Sequence, residues 1–363
     1  MALVKRIRKA WSQKVTGAVW DLALPNDASF VAAASGITDG EGAEDLTGEL
    51  LVFDRRGRLQ WSRPSKTGVH SVSTCADGSL IVTTIDEMAQ ACDKDGRLLW
   101  THQMPSRVGR VSVNQKGTIV AVASASRLDV LDKSGNLRWS KDFSGVVAGV
   151  ELPRTGRIIA VPSWEWRENE KKNEPSAWGL LSVFDDSGTL RWYRSVELAG
   201  ICDDDIHLAT ALSEDGSTIA IGSPSPKGRL LVLNDNGGPL WSDSTTDDVL
   251  STAISGDGSV VALGSSDFRL HVFDGWDRRS WTRTTGGDPV HYLAGDFALQ
   301  VSPDATLIAA GAGDGNMYVF DRTGEPVLVE SVGTRLQSVE FATEGSFFAA
   351  GTSDGKVHAF ELS

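Results

Sequence analysis

Apolar and polar residues alternate along this chain in short runs, and Asp-Gly, Ser-Gly and Asn-Gly turns separate the runs. Segments such as LLVFD (Leu50–Asp54) and HSVSTCADGSLIVTTI (His70–Ile85) have the period of two and the terminal turn residues of hairpin strands. Long helical periodicity is absent, so the pattern predicts an all-β fold.

A second, longer period lies over the first. A strand ending in Asp is followed three residues later by Gly and, four beyond that, by Trp. The triplets are Asp54/Gly57/Trp61, Asp93/Gly96/Trp100, Asp132/Gly135/Trp139, Asp185/Gly188/Trp192 and Asn234/Gly237/Trp241. A sixth unit keeps Asp274 and Trp281 but has Asp277 in the glycine slot; a seventh keeps Asp321 and Gly324 but has Leu328 in the Trp slot. Successive anchors from Trp61 lie 39, 39, 53, 49, 40 and 47 residues apart. That is the period of a four-stranded propeller blade, here strand A, turn, strand B, variable loop, strand C, the Asp-x-x-Gly turn and strand D. An eighth unit, about 335–362, supplies A, B and C only. RIRKAWSQ (Arg6–Gln13) matches GRLLWTHQ (Gly96–Gln103) and brings Trp11 to the Trp position. The expectation is one domain, 1–363: an eight-bladed β-propeller of four-stranded blades, with the N-terminal strand at about 5–14 completing blade 8. Asp or Asn can bond the turn backbone and Gly can take positive φ. Trp11, Trp61, Trp100, Trp139, Trp192, Trp241 and Trp281 then form a structural girdle between blades.

These Asp-x-x-Gly-x-x-x-Trp hairpins resemble the repeats of eight-bladed quinoprotein-like propellers. That group holds the pyrroloquinoline quinone dehydrogenases and the non-catalytic lipoprotein of outer-membrane barrel assembly. Loops such as GAGDGNMYVFD (Gly311–Asp321) are also similar to WD40 repeats. The resemblance implies fold more than function, because propellers host many functions.

Composition narrows the function. A net charge of −13, with no Lys/Arg-rich run beyond Lys5, Arg6, Arg8 and Lys9, argues against a nucleic-acid partner. Cys75, Cys92 and Cys202 are odd in number and far apart, which favours a reducing compartment over a disulfide framework. No apolar leader and no membrane-length apolar run is visible, so a cytoplasmic location without membrane insertion is expected.

No nucleophile elbow, phosphate loop or calcium loop stands out, and the adjacent cysteines associated with the quinoprotein enzymes are missing. A non-enzyme without cofactor or metal is expected. His70, His207 and His291 precede inner strands near the channel, and Asp203, Asp204 and Asp205 form an acidic run; hydrogen-bonded histidines and a solvated turn account for them. Four insertions depart from the minimal blade: Gly36–Glu49, with Asp39, Glu41, Glu44 and Asp45; Ser163–Gly179, with Trp164, Trp166, Arg167 and Trp178; Glu197–His207; and Gly286–Asp296. All fall in B–C or D–A connections, which share one face. The expected function is a non-catalytic protein-interaction scaffold within a larger assembly. It would bind a partner with a basic surface through these tryptophans and carboxylates. The alternative is a propeller binding a small molecule or quinone at the channel mouth. Ser163–Gly179 reads as a loop outside the blade pattern, its tryptophans either offered to a partner or folded back on their own blade, so shortening it should leave stability unchanged.

Overall fold

A computed structural model describes residues 6–37, 47–85, 88–169, 174–198, 208–223, 228–275, 279–285, 298–312 and 314–363. Its strands form eight separate four-stranded antiparallel sheets. Seven are sequential, spanning 18–65, 72–103, 108–142, 146–198, 209–244, 249–284 and 299–331. In the eighth, Leu336–Phe341, Phe347–Thr352 and Lys356–Leu362 are joined by the N-terminal strand Ile7–Lys14, whose ladder runs from Ile7 opposite Leu362 to Lys14 opposite Lys356. Arg6 and Ser363 exchange backbone hydrogen bonds of 2.8 and 3.0 Å, so the two ends meet where other blades have their C–D turn. The chain is the eight-bladed propeller its repeat predicts, closed by its first strand.

Position within a blade explains the residue pattern. Strand B is covered on both faces by neighbouring blades, so Phe30–Gly36 is buried throughout and Ala32, Ala33 and Ala34 have no exposed surface. Such strands read as continuous small apolar runs. The outer strand D is half solvated and alternates, as in Leu98–Gln103. The core therefore lies between blades: Val82 and Ala89 of blade 2 pack with Val111, Val122 and Leu131 of blade 3 in one cluster.

At the C–D turn, Asp132 Oδ1 accepts the Ser134 and Asn136 N–H groups at 2.8 and 3.0 Å, and Gly135 sits at φ 82°. Asp54, Asp93, Asp185, Asn234 and Asp321 bind their turns in the same way. Trp100 belongs to the previous blade. Its Nε1 donates to the Lys133 carbonyl at 3.0 Å, and a Cβ on Gly135 would stand 2.7 Å from its Cδ2 atom. Trp11, Trp61, Trp139, Trp192 and Trp281 lie on Gly57, Gly96, Gly188, Gly237 and Gly324 likewise. Each glycine is thus demanded twice, by its φ and by the indole above it. Asp277 lies outside the described residues, and Trp241 packs on Phe273 with ring centroids 5.0 Å apart. Leu328 has a physical reason: blade 8 has no C–D turn to receive an indole, and Leu328 packs instead beside Ile7 on the cluster containing Phe360 and Leu362.

Around the axis the A–B turns hold hands through backbone bonds, from Asn26 N–H to Ala76 O, Ala76 to Gln115, Gln115 to Arg154, Thr155 to Glu214, Glu214 to Gly256 and Gly256 to Pro303, with Glu344 returning to Asn26. Pro303 has no N–H to pass on to blade 8. There the link is made by a side chain, Gln300 Oε1 accepting the Phe341 N–H at 2.6 Å.

Candidate functional site

Antiparallel order puts the A–B and C–D turns on one face of the ring and the B–C and D–A connections on the other. The described parts of the insertion, 163–169 and 174–179, are strand and not loop. Strands B and C of blade 4 run Ile158–Asn169 and Glu174–Asp185 in unbroken register, while strand D extends to Leu198 and pairs it with Ala177. Elsewhere strands B and C have five to seven residues; these have 12. The sheet therefore continues past the ring face as a hairpin.

Strand alternation divides the aromatic residues between two sides. Trp164 is only 8% exposed and packs in the core cluster with Ala177, Leu198 and Leu208 of the neighbouring blade. Two residues on, Trp166 shares that side but is 47% exposed, its ring edge-on to Trp164 at 6.4 Å. On the opposite side, Glu165 pairs across the strands with Trp178. Arg167 bonds Glu165 at 2.5 Å and lies 5.3 Å over the Trp178 ring, and Ser144 donates to Glu165. This bonding to Ser144 and then Arg167 holds the Glu165 carboxyl below its ordinary range. The structure thus corrects two expectations. Trp164 is a core residue and offers no ring to a partner. Shortening Ser163–Gly179 would also cut a ladder and remove that core ring, and so would destabilise blade 4. Asp39, Glu41, Glu44, Asp45, Asp203, Asp204, Asp205, His207 and His291 lie outside the described residues.

The axis, where the sequence reading placed His70 but no carboxylate, holds a second feature. A cavity of about 600 Å³ is lined by the inner strands, including Asp21, Arg110, Glu151 and Glu340 from four different blades. Ser71 Oγ and the Val72 N–H donate to Asp21 Oδ2 at 2.9 and 3.0 Å, and Arg110 stands 3.8 Å from it. At one end Arg154 of blade 4 donates to Asn26 of blade 1 and Thr343 of blade 8 and approaches Glu214 of blade 5 at 3.5 Å. His70 stacks on Trp20 at 4.1 Å and contacts Arg107. Burial, then Arg107 and Arg110, lowers the His70 pKa to about 4. Burial raises Asp21 against the pull of Arg110. It lifts Glu151 to about 7 and Glu340 to about 8, although Gln300 donates to Glu340 at 2.6 Å. Glu151 is surrounded by protein yet its side chain is exposed to the lumen, so channel water moderates these shifts. Among the described residues, no group of three or more His, Cys, Asp or Glu is placed to hold a metal.

The sign of the Glu340 shift gives a prediction. Its pKa is raised in the fold, so the folded state keeps a proton that the unfolded chain loses above about 4.5, and stability falls as pH rises from there through about 8. Glu340→Gln keeps an acceptor for Gln300 and removes the titration. After discounting for channel water, the variant should be stabilised over the parent by about 1–2 kcal/mol at pH 8.5, with the gap shrinking towards pH 5. Urea midpoints at both pH values check this; a gap that does not change with pH refutes it.

Comparison with known proteins agrees with this geometry. No curated protein matches the chain. Among solved structures, the Dos1 propeller superposes with a TM-score of 0.73 at 15% identity, covering 99% of this chain and 96% of that one. BamB from Moraxella catarrhalis superposes with a TM-score of 0.68 at 17% identity, covering 98% and 99%. At such identities these likenesses show the fold alone. The family model described as outer membrane protein assembly factor BamB matches residues 8–169 and 177–359, nearly every blade strand. By that match, the chain belongs to the BamB-like family of propeller repeat proteins.

Proposed function

We propose that this propeller is a non-catalytic interaction module that binds a protein partner through its B–C and D–A face, with the blade 4 hairpin as anchor. The observation that carries the reading is Trp166: a ring 47% exposed, held edge-on against a core tryptophan on a rigid sheet extension and not on a loop. Trp and Arg dominate interface hot spots, and an indole held in place beforehand loses little entropy on binding. Arg167 and Trp178 supply an adjoining cation–π face. The sequence of two other insertions, in blade 1 and between blades 4 and 5, adds Asp39, Glu41, Glu44, Asp45 and Asp203–Asp205, carboxylates suited to a basic partner surface. Membership of a family described as an assembly factor supports the same reading.

The experiment is a Trp166→Ala variant, which leaves Trp164 and the ladder intact. Tagged parent and variant are used to capture partners from the native host, and binding to the protein identified is then titrated with purified components. Trp166→Ala should move the melting temperature by no more than about 2 °C while weakening that complex by about 30-fold, the size of a hot-spot truncation near 2 kcal/mol. Association should also slow as salt rises. Equal affinity of parent and variant would move the interface away from the hairpin.

A further inference from the structure

The joint between blades 7 and 8 differs from its neighbours at every level. Leu328 replaces the indole, and Pro303 breaks the inner ring of backbone links. At its centre lies His358, 3% exposed, on strand C of blade 8 opposite Ser12 of the closing strand. Among the described residues, neither of its ring nitrogens has a hydrogen-bond partner. A buried polar side chain left unsatisfied is uncommon and calls for a reason.

In two other blades the side chain at this position is ionisable and is bonded. In blade 6 the corresponding His271, opposite Thr282, bonds Asp267 four residues earlier at 3.3 Å and Thr282 at 3.2 Å. In blade 3 the position is Asp129, and His102, two residues after Trp100 of the preceding blade, reaches across the joint to it at 2.8 Å. Blade 8 has both kinds of partner in place and neither engaged with His358. Asp354, four residues earlier, bonds Lys356 at 2.7 Å and Thr352 at 2.6 Å. Glu330, two residues after Leu328, occupies the place of His102 and bonds Lys9 of the closing strand at 2.8 Å. The charged groups facing His358 are therefore Lys9 on the closing strand, Glu330 on the outer strand of blade 7, and Lys356 and Asp354 on its own strand and turn.

We propose that this joint is an acid-operated latch: when His358 takes up a proton, Glu330 leaves Lys9 to pair with the imidazolium, and the N-terminal strand loses its tie to blade 7. The direction follows from charge. At neutral pH burial, followed by Lys9, keeps the imidazole neutral, and Glu330 pairs with Lys9. A buried imidazolium needs a counter-ion, and Glu330 reaches it along the path that His102 takes to Asp129. Lys9 is half out in solvent and can leave. The His102–Asp129 pair of blade 3 is likewise an imidazole with a carboxylate, the strands exchanged and the acid one carbon shorter, which shows that the two positions are within bonding reach.

Hydrogen exchange on the full chain tests the latch, with rates corrected for the intrinsic effect of pH. Between pH 7.5 and 4.5, the amides of Arg8–Lys14 should lose protection at least tenfold relative to the strands of blade 3. His358→Leu places there the residue found at the same position in blades 1 and 5, Leu51 and Leu231. That variant should keep its protection at pH 4.5. Should it fail to fold, His358→Gln, the residue of blade 2 at Gln90, gives the same reading. Glu330→Gln should loosen Arg8–Lys14 already at pH 7.5. The proposal falls if the parent strand stays protected at pH 4.5, or if the His358 variants lose protection as the parent does.

Discussion

Removing residues 1–15 should abolish cooperative folding, or lower the melting temperature by about 10 °C or more. The deletion strips the outer strand from blade 8, with its ladder from Ile7 to Lys14. It also removes Trp11, which lies on Gly57, donates to the Arg55 carbonyl at 3.0 Å and packs 5.7 Å from Phe53. Trp11 is partly buried, so its loss costs somewhat less than the about 3–5 kcal/mol of a core indole. The bare edge of Lys356–Leu362 would then be open to pairing with another chain. Circular dichroism melts and size-exclusion profiles of the truncated and full-length proteins decide the matter. A truncated monomer that melts within a degree or two of the parent would show that the ring holds without its closing strand.

The second large effect is expected at a single glycine. In Gly135→Ala the new Cβ must occupy a φ of 82° and stand 2.7 Å from the Trp100 ring. Backbone strain of about 1 kcal/mol and overpacking of about 1–3 kcal/mol act together, so a loss of roughly 2–4 kcal/mol is expected. Gly275 supplies the control, because it has φ 83° with nothing within 4 Å of its virtual Cβ. Gly275→Ala should show the backbone part alone. Urea denaturation of the two variants separates the contributions. Equal losses would mean that the indole yields freely and that the girdle is softer than its geometry indicates.

Much of the architecture was legible because it is local and repeated. The Asp-x-x-Gly turn is made within five residues: Asp132 binds its own turn, and Gly135 takes the conformation that turn requires. Trp11 lies on a segment that matches strand D of blade 2, and so completes the blade that lacked an outer strand. Even the exception at Leu328 is a consequence of closure, since the site it would dock on is divided between the chain ends.

The candidate site was legible only in part, because an insertion has no repeat to be read against. Residues 163–169 and 174–179 carry polar and charged residues, and only pairing with each other and with the extended strand D made them a sheet. Nothing local distinguishes Trp164 from Trp166. They share one side of one strand, and the distance to Leu208 of the next blade buries the first and leaves the second in water. The axial carboxyls stayed hidden for a related reason. Asp21, Glu151 and Glu340 occupy unremarkable positions in three distant repeats, and ring closure alone brings them to one cavity where burial raises their pKa. His358 completes the contrast. Its place on a buried strand follows from the alternation, but its lack of a partner was decided by Lys9, 349 residues away in the chain, which claims Glu330 once the ring is closed. The repeat, the turns and the way the ring shuts were readable along the chain because contacts within or between adjacent units set them. Only the closed ring decided which rings face water, which carboxyls share a cavity and which charges are left to pair, because those depend on residues that meet solely across it.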